Sequence, residues 1–184
     1  MKIVLSESQY NRLIETEEEQ KVLRIPSLKI FDDDWYALQK FLEFKGNPFY
    51  SVGGNLDLAG TPIKSLGNLQ SVGGYLNLRG TPIKSLGNLT SVGGGLNLIS
   101  TPIQSLGNLK SVGGNLDLYG IPIESLGNLQ SVGESLYLSK TPIKSLGNLQ
   151  SVGGDLDLEG TPLSKMYNEK QIHKMVNVEG DIYL

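Results

Sequence analysis

The chain has 184 residues, with 16 basic and 19 acidic side chains, a formal net charge of −3, 23 Gly and no Cys. Without Cys there is no disulfide framework, thiolate metal site or cysteine nucleophile, and the single His (His173) leaves no His cluster for zinc. The near-neutral charge argues against a general nucleic-acid binder, and no apolar run approaches the roughly 20 residues of a membrane span.

The elements are taken in chain order. Ile3-Val4-Leu5 is too short for a signal-peptide core. Ser6-Glu7-Ser8-Gln9 has capping-box spacing, and Tyr10, Leu13 and Ile14 follow on one helical face. The polar run Glu15, Glu17, Glu18, Glu19 and Gln20 reads as a solvated face. A second helix is expected to start within Asp32-Asp33-Asp34, to carry Trp35, Leu38, Phe41 and Leu42 inward, and to end near Gly46-Asn47-Pro48. Residues 1–50 therefore read as a helical N-terminal cap.

From Ser51 the sequence runs SVGGNLDLAGTPIKSLGNLQ, and blocks beginning at Ser71, Ser91, Ser111, Ser131 and Ser151 restate it without insertion or deletion. Ser51, Val52, Gly53, Leu56, Leu58 and Pro62 have identical equivalents in all six blocks. Leu66, Gly67, Asn68 and Leu69 hold through five and then give way to Met166, Tyr167, Asn168 and Glu169, where Asn alone survives. Within a block, residues 55–59 alternate, with Leu56 and Leu58 on one face, as in a short half-buried strand. Pro62 cannot donate to a ladder and must lie beyond it. Ile63, Leu66, Leu69 and Val72 recur every three residues, which predicts a 3₁₀ or polyproline-like return path instead of a second strand or a long helix. Burial of about six aliphatic side chains, at roughly 1.5–3 kcal/mol each, cannot offset the ordering of one block at about 1–2 kcal/mol per residue. Blocks must therefore stack as a solenoid.

Residues 51–163 thus hold six repeats, and residues 164–184 form a C-terminal cap. In that cap Ser164 to Met175 reads as a helix, and residues 178–184 restate SVGGDLDL as a final strand. His173 falls in this segment and reads as a surface or packing residue.

Segments such as GNLDLAGTPI and GYLNLRGTPI resemble the LxxLxLxxNxL core of the leucine-rich repeat family, with Leu56, Leu58 and Ile63 at three of its apolar positions. The resemblance covers about 110 residues and implies an α/β solenoid: a curved parallel β-sheet of leucine-rich repeat type with helical caps at both ends. Two departures stand out. Gly53 and its equivalents replace the family's first leucine, and Thr61, Thr81, Thr101, Thr141 and Thr161 replace its inward Asn, with Ile121 in the fourth block. A Thr hydroxyl can bond the loop backbone; Ile121 cannot, so that ladder should have one gap. A generic parallel β-solenoid shares most of these features. The leucine-rich reading is preferred because only one strand per block is evident.

Stacking sets equivalent residues in rows about 4.8 Å apart. On the outward strand face these rows vary while neighbouring columns stay fixed: Asn55, Tyr75, Gly95, Asn115, Ser135, Asp155; then Asp57, Asn77, Asn97, Asp117, Tyr137, Asp157; then Ala59, Arg79, Ile99, Tyr119, Ser139, Glu159. Tyr75, Arg79, Ile99, Tyr119 and Tyr137 lie in adjacent blocks, and Tyr and Arg are enriched among binding hot spots. The expected function is non-catalytic recognition of a protein through the concave face. Its candidate residues are Tyr75, Asn77, Arg79, Asn97, Ile99, Asp117, Tyr119, Tyr137, Asp157 and Glu159. The bland reading is a solvated sheet whose aromatics stack for stability. Calcium at the Asx row lacks converging oxygens, ice binding would need an outward Thr row, and Asp155, Asp157 and Glu159 have no base, nucleophile or phosphate loop beside them. No enzyme activity, cofactor, nucleic acid or membrane partner is therefore expected. An assembly component, with homo-oligomers, is the alternative function, and a small-molecule antagonist is a third class. The opening KIVLSESQYNRLIE is similar to N-terminal segments of bacteriophage proteins. That resemblance implies a host protein as partner and the host cytoplasm as compartment.

Overall fold

A computed structural model describes residues 22–184. The expected first helix around Tyr10, Leu13 and Ile14, its polar tail and the phage-like opening lie outside the described residues. Each block forms one coil of a parallel β-solenoid. Two short strands are made per coil, not the single strand expected. Ser-Val pairs such as Ser91–Val92 and Ser111–Val112 build an eight-stranded sheet, which begins at Leu23–Ile25 and ends at Asn177–Val178. Leu-Asx pairs such as Leu56–Asp57 and Leu96–Asn97 build a seven-stranded sheet that ends at Ile182–Tyr183. The Ser-Val strand was hidden because its two residues show no alternation, and because Val72 continues the three-residue rhythm of the return path. This two-sheet coil removes the ground on which a one-strand leucine-rich coil was preferred.

The register is one block per coil. Val72 faces Val52 and Val92, and Leu76 faces Leu56 and Leu96. Like therefore stacks on like, and the inward side chains of successive coils form continuous columns. Leu56, Leu58, Ile63, Leu66, Leu69 and Val72 are all buried, and with their equivalents they join one core cluster. The return path over residues 61–66 holds no helix or strand. Side chains secure it instead. Thr61 Oγ1 donates to the Leu58 carbonyl at 2.6 Å, and Thr81, Thr101, Thr141 and Thr161 repeat the bond at 2.6–2.8 Å. Ile121 is buried in the same column without a hydroxyl, so the expected gap is present. Thr81, Thr101, Thr141 and Thr161 are buried, so this Thr column faces inward. Ser65 Oγ accepts the Gly67 N–H at 2.9 Å, and the bond recurs at Ser85, Ser105, Ser125 and Ser145.

The invariant first glycine of each corner has a steric cause. A Cβ at Gly73, Gly93, Gly113, Gly133 or Gly153 would overlap the carbonyl oxygen of the preceding coil's glycine. Meanwhile the Gly93 and Gly113 N–H groups donate to Val72 and Val92 at 2.7 and 2.8 Å. The second glycine is less strict. Glu134 occupies that column, and its N–H reaches the Gly114 carbonyl at 3.4 Å where Gly114 to Gly94 is 2.9 Å. A side chain fits there once the coils part slightly.

The helices are wound into enlarged terminal coils. From Ile25 to its partner Val52 the chain advances 27 residues, and from Val152 to Val178 it advances 26. The N-terminal excess holds helix α1 (Trp35–Phe44), capped by Asp34 Oδ1, which accepts from Tyr36 and Ala37 N–H. Trp35, Leu38, Phe41 and Leu42 are buried, as the sequence predicted. Strand Leu23–Ile25 and a 3₁₀ turn at Leu28–Phe31 were not foreseen, because they lack the SVGG signature. Tyr50 ties this coil to the next: it is buried, and its hydroxyl donates to the Leu66 carbonyl at 2.7 Å. At the other end, the continuous helix expected over 164–175 is two helices, α2 (Pro162–Met166) and α3 (Glu169–Ile172). The break falls at Tyr167, which is extended (φ −131, ψ 143), because Asn168 serves as N-cap in a capping box with Gln171. His173, the C-cap of α3, lies at the surface 3.8 Å from Glu169.

Gly93→Ala is expected to destabilise by about 1–3 kcal/mol through overpacking against backbone, and Gly94→Ala, in the column that already admits Glu134, by less. Denaturant unfolding of the two variants checks the order. Tyr50→Phe should lower stability by about 0.5–1.5 kcal/mol, because the Leu66 carbonyl loses the hydroxyl and keeps only the Leu69 N–H at 3.3 Å.

Candidate functional site

The outward rows of the second sheet carry all ten candidate residues, and they do different things. The first row knits coil to coil. Asn55 Oδ1 accepts the Tyr75 N–H at 2.9 Å, Asn115 Oδ1 accepts Ser135 N–H at 2.8 Å, Ser135 Oγ accepts Asp155 N–H at 3.0 Å, and Asp155 Oδ1 accepts Asp181 N–H at 2.9 Å. Tyr75 lies along this row over Gly95, where an added Cβ would meet its ring at 3.1 Å. Its aromatic surface is thus partly spent on the neighbouring coil.

The second row makes Asx turns. Asn77, Asn97, Asp117 and Asp157 each use Oδ1 to accept the N–H two residues on, at 3.2, 3.0, 3.1 and 2.9 Å. Asp57 does the same to Ala59. These bonds turn the chain out of the second sheet, a task for which Asn and Asp are equally suited. The candidates Asn77 and Asn97 are therefore held by the fold. Tyr137 alone departs from the row, so Ser139 lacks an Asx acceptor for its N–H. The Ser139 hydroxyl instead donates to Asp157 Oδ2 at 2.8 Å.

Five candidates, Ile99, Asp117, Tyr119, Tyr137 and Asp157, together with Ser139, line one shallow depression of about 440 Å³. Tyr119 is 42% exposed, Tyr137 37%, and Ser139 only 7%. Tyr75, Asn77, Arg79, Asn97 and Glu159 do not line it. Two participants escaped the sequence reading. Ser139 stood in the right row but is small and polar. Lys140 stands where Gly60, Gly80, Gly120 and Gly160 stand in other coils, and at φ 59 it adopts their left-handed conformation. Its Nζ donates to Tyr119 Oη at 2.6 Å and lies 5.1 Å from the ring centroid. The irregular Ser-Lys pair at the end of that strand was the available signal. A hollow of about 540 Å³ also runs along the first sheet, lined by the fixed Ser, Val and Gly columns with Glu179 at one end.

The electrostatics of the depression are acidic. Burial raises the Asp117 carboxyl above its ordinary 3.8, opposed by the Tyr119 N–H and by the charge of Arg79. The Tyr183 hydroxyl, in the last coil, is raised chiefly by the charges of Asp155 and Asp181. The Lys140 ammonium is raised chiefly by its bond to Tyr119. Among the described residues no group of three or more His, Asp or Glu is placed to hold a metal ion, and no helix is long and apolar enough to cross a membrane. No family model, curated protein or solved structure matches this chain.

Because the folded state binds a proton at Asp117 more tightly than the unfolded chain, its contribution to stability is present below pH 3.8 and is lost as pH rises through the raised folded value. Asp117→Asn keeps the Asx turn, as Asn77 and Asn97 show, and has no such loss. Its melting temperature should match the parent below pH 3.8 and exceed it at neutral pH. Asp117→Ala should fall below Asp117→Asn by about 1 kcal/mol at all pH values, with the turn bond gone. Thermal melts across this range check both.

Proposed function

We propose that this chain is a non-catalytic binding module that engages another protein through the outward face of its second sheet. The observation that carries the reading is the depression of Ile99, Tyr119 and Tyr137. In a face where Asn55 is spent on a coil-to-coil bond and Asn77 and Asn97 on turns, these gather aromatic and aliphatic area in one place, with Tyr119 and Tyr137 exposed. Tyr supplies large contact area at low entropic loss, which is why it recurs in binding hot spots. Asp157, held in place by Ser139, gives the hollow a fixed polar edge. The leucine-rich character of the repeat belongs to this reading too, supported by the buried columns of Leu56, Leu58 and Ile63. The phage-like opening supports a host protein as partner, in the host cytoplasm.

A second reading, an assembly component, is favoured by one observation. Every strand pairing in the two sheets is parallel and in step, Val52 on Val72 and Leu56 on Leu76, and a ladder of this kind can be continued by a strand from a second copy. Light scattering separates the two: a monomer supports the binding module, a stable homo-oligomer the assembly.

Tyr119→Ala should weaken capture of the native partner about tenfold or more, in line with a Tyr hot spot. It should leave the melting temperature within the small range of surface substitutions. Equal affinity of parent and variant for an identified partner would overturn the proposal.

A further inference from the structure

The outward face of the second sheet is electrically unlike the rest of the molecule. Asp57, Asp117, Asp155, Asp157, Glu159 and Asp181 stand on it against Arg79 and the Lys140 ammonium, although the whole chain has 16 basic and 19 acidic side chains. The remainder therefore has more basic than acidic groups, and the negative charge is concentrated on one surface. Two of those carboxylates, Asp117 and Asp157, line the same depression as Tyr119 and Tyr137. Among the described residues neither is in an ion pair. Arg79 acts on Asp117 only through longer-range attraction.

One cation already shows how the aromatic wall behaves. The Lys140 ammonium sits against Tyr119, bonded to its hydroxyl and 5.1 Å from the ring centroid. An aromatic face attracts a cation through its quadrupole, and nearby carboxylates add to that attraction when water is excluded. Tyr137, on the neighbouring coil, has no such ammonium over it among the described residues. A half-desolvated carboxylate between two tyrosines is poorly matched to water and well matched to a guanidinium, which can stack on a ring and bond a carboxylate at once.

Resting on the protein-binding reading above, we infer that the depression between Tyr119 and Tyr137 receives an arginine or lysine side chain from a basic segment of the partner, with Asp117 and Asp157 as its counter-charges. The aromatic rings supply the walls and Ile99 an apolar rim. Lys140 is then a competing ammonium at the edge of the hollow.

The test is selection of a displayed library of random linear peptides on the full chain at physiological salt, with affinities of the selected peptides measured by calorimetry. The selected peptides should share an arginine or lysine. Their affinity should fall about tenfold or more in Tyr119→Ala and in the double variant Asp117→Asn, Asp157→Asn, which copies residues that column already carries at Asn77 and Asn97. Asp57→Asn, in the same column but outside the depression, should leave affinity unchanged, and Lys140→Gly, which suits the left-handed backbone, should raise it. Peptides without a cation that still lose affinity in Tyr119→Ala would overturn this inference and leave the protein-binding reading standing. Peptides indifferent to Tyr119→Ala would overturn both. Equal losses in Asp57→Asn and in the double variant would show diffuse attraction and overturn the cation site alone.

Discussion

The close approach of backbone to backbone at each corner governs this molecule. Coils joined by parallel strands must sit within hydrogen-bond reach, and at the Gly53-type corner the N–H of one coil bonds the Val carbonyl of the coil before it at about 2.7–2.9 Å. A side chain at that position would strike the preceding glycine carbonyl. The glycine column and the ladder are thus one constraint seen twice. From it follow the one-block register, the stacking of like on like, and the continuity of the inward Leu, Ile and Val columns. No single coil has enough apolar area to fold by itself, so this repetition is what makes the core possible.

Repetition also decides where polar groups go. In a solenoid each coil presents the same backbone groups at the same places, so one side-chain device can serve every coil. Thr61-type hydroxyls bond the strand end, Ser65-type hydroxyls set the return turn, and Asp57-type carboxylates and amides turn the chain out of the second sheet. The exceptions carry information. Ile121 leaves a bond unmade, Glu134 loosens a corner, and Tyr137 with Ser139 and Lys140 breaks the Asx turn pattern in a single coil. The exposed aromatic depression lies at that last break. The turn bond is missing there, and Ser139 and Lys140 bond side chains of the neighbouring coils instead, Asp157 and Tyr119.

The terminal coils show how the same constraint accommodates helices. An enlarged coil keeps its place in the first-sheet ladder, Ile25 on Val52 and Val152 on Val178, while it grows by six or seven residues, and α1, α2 and α3 lie in these two coils. Asn168 illustrates the economy of the change. In five earlier blocks the equivalent Asn belongs to the return turn, whereas here it becomes the N-cap of α3. Helix and coil share the core, and Trp35, Leu38, Ile172 and Val176 are buried in it.

The period, the inward Leu columns, the Thr ladder with its gap, and the buried face of α1 could be read from residues alone, because each is a local pattern repeated or capped. The second strand per coil could not, since two residues carry no periodicity and their pairing is made wholly between coils. Strand Leu23–Ile25 was hidden for the same reason, as its partner lies 27 residues away. On the outward face the rows and their variation were visible in sequence. Which members line the depression and which make the turns was not. Asn77 and Asn97 look like recognition residues until their Oδ1 atoms are found in turns, and Lys140 looks incidental until its ammonium is found on Tyr119. The sequence by itself determined the coil and its core, because steric and hydrophobic demands repeat every twenty residues. Tertiary structure alone decided the candidate site, because the depression depends on which side chains of neighbouring coils are brought together.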